Sequence, residues 1–120
     1  MRKSNYLKNK EYRLKNSQID QQLYHQLRGL KLVSSTDALS ELCGKTKSYY
    51  RSMKAKRIGL KVGSLATLRE ELALRMDEEN NPRHAVVIGY GMTAVERAIR
   101  EKVLLEQKIF KNTNFREFSL

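Results

Sequence analysis

Apolar residues recur along much of this chain at spacings of three and four. Ile19, Leu23, Leu27, Leu30 and Val33 form such a stripe, which predicts an amphipathic helix beginning near Ser17. Ser34, Ser35 and Thr36 stop it and offer N-caps for a second helix, about residues 37–43, with Leu39, Leu42 and Cys43 inward. Gly44 closes that helix, where a left-handed residue is wanted. Thr46 caps a third helix over about 47–56, with Tyr50 and Met53 as its inward pair. A loop from Arg57 to Gly63 leads to a fourth helix over about 65–77, opened by Ser64, whose stripe is Leu65, Leu68, Leu72 and Met76.

The polar run from Asp77 to Pro82 reads as the edge of the compact unit. Beyond it, His84 to Ile88 is a short β-branched run with the character of a strand. Thr93 to Phe110 is a long amphipathic helix, with Val95, Ile99, Val103 or Lys102, Glu106 and Ile109 near one face. Phe115 and Phe118 are candidate anchors in a tail without a strong period. The N-terminal stretch from Met1 to Asn16 carries six basic side chains and one acid, with only Tyr6, Leu7, Tyr12 and Leu14 as a weak stripe. Two readings of it stay open, a basic arm disordered on its own and a charged leader that aids solubility. The expected organisation is therefore a basic arm (1–16), a domain of four or five helices (17–81) and a C-terminal helical extension (82–120), mostly α throughout.

Charge gives this architecture a direction. Lys and Arg total 24 against 13 acids, a net charge of +11, which needs or at least tolerates a polyanionic partner, commonly nucleic acid and more rarely an anionic membrane surface. Between Glu41 and Glu70 there is no acidic residue, while Lys45, Lys47, Arg51, Lys54, Lys56, Arg57, Lys61 and Arg69 all fall there. Phosphate neutralisation requires such a sign-pure cluster, and the short side chains of Ser48 and Ser52 leave room for base edges.

The stretch from Ser35 to Leu74 resembles the Cro/C1-type helix-turn-helix of phage repressors over about a third of the chain. Leu42, Cys43 and Gly44 match the apolar pair and glycine that end the family's second helix. Tyr50 and Met53 match the inward positions of its recognition helix. Ser64, Leu65, Leu68 and Leu72 match the leucine-spaced helix that follows. Carried over position by position, the resemblance implies base reading by Lys47, Ser48 and Ser52 with Tyr49 and Arg51 alongside. It implies backbone contacts from Thr36, Lys56, Arg57 and Lys61, to which Lys45, Thr46 and Lys54 are added. Lys45 stands where the family has an apolar residue. Lys54 and Lys56 stand where it closes the recognition helix with an acid and a glycine, placing that helix end on phosphate.

Other signals are weaker. Gly89-Tyr90-Gly91 after Val86-Val87-Ile88 imitates a dinucleotide fingerprint, but no second strand with an acid follows, so it reads as a flexible lead into the last helix. His25 and His84 have no second ligand at metal spacing, and Cys43 reads as core. A single cysteine excludes an internal disulfide and fits a reducing compartment. With no signal peptide readable and no apolar run near ~20 residues, a cytoplasmic, nucleoid-associated place is expected. No enzyme, cofactor, metal or small-molecule ligand is expected. The anticipated function is sequence-specific reading of double-stranded DNA by a transcriptional regulator of phage or mobile-element type. A homodimer is anticipated because one module covers one half-site. Val95, Ile99 and Val103 are the expected self-association face, the alternative being that this helix folds back on the Ile19-to-Val33 helix. RNA binding, or an adaptor using the C-terminal helix, remain rival functions.

Overall fold

A computed structural model describes residues 2–113, with side chains described for residues 10–109. As the patterning predicts, the fold is mostly α: α1 (Arg2–Gly29), α2 (Thr36–Leu42), α3 (Tyr49–Ala55), α4 (Val62–Glu78) and α5 (Pro82–Thr113). Phe115 and Phe118 lie outside the described residues, as do the side chains of Tyr6 and Leu7.

The three central helices follow their apolar stripes, but only α2 has its expected cap: α3 starts after Ser48, not at Thr46, and no N-cap side chain bonds its first turn. Ser35 caps α2, its hydroxyl accepting from the Ala38 N–H at 3.1 Å. Gly44 takes φ +74° just past its end, the conformation glycine adopts without strain. Tyr50 and Met53 point inward from α3, and Leu65, Leu68 and Leu72 are fully buried on α4. Met76, counted in the same stripe, is instead 40% exposed near the end of α4. α4 also starts earlier than expected, with Lys61 at its N-cap and Ser64 inside its first turn.

The two long helices depart further from the sequence reading. The stretch before Ser17 is no separate arm, because α1 runs unbroken from Arg2. Its inward line is Asn16, Asp20, Leu23 and Leu27, so the apolar stripe continues N-terminally as polar residues. α5 likewise contains no strand. Pro82 occupies its first turn, where a missing N–H costs nothing, and the Asn81 side chain accepts from the Arg83 N–H at 3.0 Å. Its buried line is Ile88, Gly91, Val95, Ala98 and Lys102.

Nor does the core close at Pro82. α5 turns back along α4 and runs antiparallel to α1, pairing Gly91 with Leu27, Lys102 with Asp20, and Glu106 with Tyr12. Gly91 is the point of closest approach. A Cβ there would collide with Leu32 Cδ1 and come within 3.4 Å of Leu27 Cδ2 and 3.6 Å of Leu72 Cδ1. The glycine pair is thus mid-helix packing, neither a phosphate loop nor a flexible lead. Val95 is fully buried, Ile99 packs partly buried against the same core and Val103 is half-buried. The expected self-association face is therefore covered by the chain's own α1 and α4, since leaving it in water would cost ~25 cal/mol per Å².

Candidate nucleic-acid interface

Ser40 is the hinge between α2 and α3. Fully buried, its hydroxyl donates to the Thr36 carbonyl at 2.9 Å and accepts the Tyr50 N–H at 2.9 Å, satisfying the first turn of α3. The turn from Cys43 to Ser48 is thereby fixed, and it presents Lys45, Thr46, Lys47 and Ser48 to solvent. Cys43 packs in the core, and burial raises its thiol pKa to about 11.

Among the expected base-reading residues, Lys47 and Ser48 are exposed but precede α3, in the turn. Arg51 projects from α3 and forms an ion pair with Asp37 at 3.2 Å, so its charge is already engaged on this surface. Ser52 is half-buried. Tyr49 is committed to the fold. Its hydroxyl lies 2.8 Å from the Ser64 hydroxyl and the Lys45 ammonium sits 5.7 Å from its ring centroid, so the ring ties the turn to α4.

For the expected backbone contacts, Thr36 is half-buried in the first turn of α2, and Thr46 Oγ1 lies 3.4 Å from Ser48 Oγ. Lys54, Lys56, Arg57 and Lys61 are exposed at the end of α3 and along the following loop. Arg57 adopts φ +58°, closing α3 as a glycine normally would, while the Ile58 N–H reaches back to the Met53 carbonyl at 3.1 Å. Among the described residues, Lys45, Lys47, Lys54, Lys56, Arg57 and Lys61 have no carboxylate at ion-pair distance, whereas Arg69 pairs with Glu96 at 2.7 Å.

The loop carrying these cations is pinned from both ends of the chain. Asn16 Nδ2 donates to the Ile58 carbonyl at 2.9 Å, and Asp20 Oδ2 accepts the Leu60 N–H at 2.8 Å. Lys102 Nζ donates to the Leu60 carbonyl at 2.6 Å and contacts Asp20 Oδ1 at 2.7 Å. Burial pushes the Asp20 carboxyl up and the Lys102 ammonium down, and each charge opposes the shift of the other. Gly59, at φ +80°, has no room for a side chain, because a Cβ would lie 2.6 Å from Asn16 Nδ2.

Asn16 and Asp20, together with Lys10 and Arg13, are what the sequence reading missed, and Lys102 entered it only as the alternative to Val103. Continuation of α1 brings Lys10 and Arg13 to the rim of a groove shared with Lys54 and Arg57. A helical pattern in which Asn16 and Asp20 take the core positions below Leu23 was the available signal.

No curated protein and no solved structure matches the chain. Residues 21–109, from α1 through most of α5, match a family of unknown function, DUF6626, and the chain belongs to that family.

Proposed function

We propose that this protein binds double-stranded DNA with the surface formed by the 45–48 turn, α3 and the α3–α4 loop, and acts as a transcriptional regulator of phage or mobile-element type. One observation carries the reading. The acid-free stretch spans the turn before α3, α3 itself, the α3–α4 loop and the start of α4, and most of its exposed cations lack carboxylate partners among the described residues. A solvated surface of mixed sign would pair them, whereas a phosphate backbone supplies the missing negative charge. The resemblance of Ser35 to Leu74 to the Cro/C1-type helix-turn-helix supports it, with Lys47, Ser48 and Arg51 nearest the base edges and Lys54, Lys56, Arg57 and Lys61 on phosphate. Lys10 and Arg13 extend the same basic surface.

No described helix is long and apolar enough to cross a membrane, and the proposed place of action is the cytoplasm, on the nucleoid. Reading a palindrome takes two copies. With Val95 inside its own core, the exposed Val86 and Tyr90, one turn apart on α5, offer an apolar pair to a second copy, alongside exposed Leu74 and Leu104.

Binding of labelled duplex, structured RNA and single strands across a salt series tests the reading. Six phosphate contacts predict a log–log salt slope of about −5 on duplex. The Lys56→Ala, Arg57→Ala, Lys61→Ala triple variant should flatten that slope by about three units. RNA bound as tightly as the best duplex, or an unchanged slope in the triple variant, would refute it.

A further inference from the structure

Between the N-terminal half of α1 and the end of α3 lies a groove of about 690 Å³, within the range of ~300–1,000 Å³ that holds small molecules. Lys10 and Arg13 line it from α1, and Lys54 and Arg57 from the opposite side. Apolar contributions come from Leu14, Met53 and Leu60. Asp20 also lines the groove, but its carboxylate is matched by the buried Lys102 at 2.7 Å and leaves no net negative charge there.

Two features together specify an occupant. None of the four cations has a carboxylate at ion-pair distance among the described residues, so four like charges converge on one concavity. Leu14 is 60% exposed beside them, an apolar surface that a phosphate strand would leave wet. Charge complementarity thus asks for an anion, and the apolar wall asks for a hydrocarbon attached to it.

We propose that the groove binds a small anionic amphiphile, a single alkyl or aryl body carrying a phosphate or carboxylate. Arg13 and Arg57 offer planar donor pairs to the head group, and Leu14 and Met53 cover the body. The regulatory consequence rests on the DNA reading above. Lys54 and Arg57 belong to both surfaces, so a bound anion neutralises charges that DNA phosphates require and weakens DNA binding.

Decyl phosphate, kept below its micellar concentration and titrated calorimetrically into the full chain, tests the site without DNA. It should bind about a hundredfold more tightly than inorganic phosphate, and decanol should bind no better than phosphate. Leu14→Asp, at an exposed position, should weaken it at least about tenfold with an unchanged circular dichroism spectrum. Arg100→Ala, which removes an exposed charge elsewhere on α5, should leave it unchanged. Equal binding of phosphate and decyl phosphate, or full affinity in Leu14→Asp, would overturn the proposal. A duplex competition separates the two readings. If decyl phosphate binds and no duplex does, the DNA reading fails and the groove stands. If the duplex binds and saturating decyl phosphate leaves its Kd unchanged, the regulatory consequence is overturned.

Discussion

Replacing Lys102 by Met tests whether α5 is structural to the loop that carries the cations. The lysine is 3% exposed and its ammonium contacts both Asp20 Oδ1 at 2.7 Å and the Leu60 carbonyl at 2.6 Å. Methionine fills similar volume, so the cost is mainly electrostatic. Asp20 keeps only the Leu60 N–H, and the Leu60 carbonyl loses its donor. Removing one partner of a buried pair costs ~3–5 kcal/mol, a large share of the ~5–15 kcal/mol that holds a domain together. In urea, monitored by circular dichroism, the midpoint should fall by ~2 M.

The pH dependence gives this prediction a sign. Burial already raises the Asp20 pKa, and without Lys102 the opposing attraction is gone. A carboxyl whose folded pKa lies above its unfolded value favours folding most below the unfolded value, and that support is lost as pH rises through the folded one. The deficit of Lys102→Met against the native chain should therefore be smaller near pH 4 than at pH 7. Adding Asp20→Asn removes the buried charge and should restore part of the loss at pH 7. A single-variant cost under ~1 kcal/mol, or a deficit that shrinks as pH rises, would refute the assigned role of the pair.

Three further outcomes follow from the geometry. Arg57→Gly should relieve ~1–2 kcal/mol of left-handed strain against ~0.5–1 kcal/mol of added chain entropy, so Tm should rise by a few degrees while DNA binding weakens; a lower Tm would contradict it. Cys43, 1% exposed with its pKa raised to about 11, should react with Ellman's reagent at pH 8 only at the rate of unfolding, and rapid labelling of the folded chain would place the thiol elsewhere. Truncation after Asn81 removes Ile88, Val95 and Ala98 from the core and should give an unfolded chain by circular dichroism rather than a folded monomer.

How far the amino-acid pattern reached depended on where the deciding interactions lie. The central helices were legible because their signals are local. Ser35 caps α2 three residues ahead of its donor, Gly44 takes a conformation few other residues tolerate, and Tyr50, Met53, Leu65, Leu68 and Leu72 repeat at helical spacing. The sign-pure run from Lys45 to Arg69 was legible in the same way, and the fold left most of its charges exposed.

What lay beyond the sequence reading is held by partners far along the chain. Val86 to Gly91 favours a strand and a turn by composition, and each glycine weakens a helix by about 1 kcal/mol relative to alanine. Packing reverses that preference, because Gly91 lets α5 approach Leu27, Leu32 and Leu72 more closely than any side chain would permit. Ahead of Ser17, charge and a faint stripe suggested an arm. Helix there is stabilised by Tyr12 reaching Glu106 at 3.1 Å and by Asn16 reaching Ile58 at 2.9 Å. Val103 was the expected inward position on α5, with Lys102 as its alternative, and only the position of Asp20, on the first helix of the chain, selects the lysine. Local pattern therefore sufficed for the apolar faces of the central helices, for the cap of α2 and for the sign of the surface they carry, whereas the first turn of α3 relies on Ser40 of α2. Membership of both long helices in one core was settled only by their packing, since a buried charge becomes stable only when its partner arrives from another element.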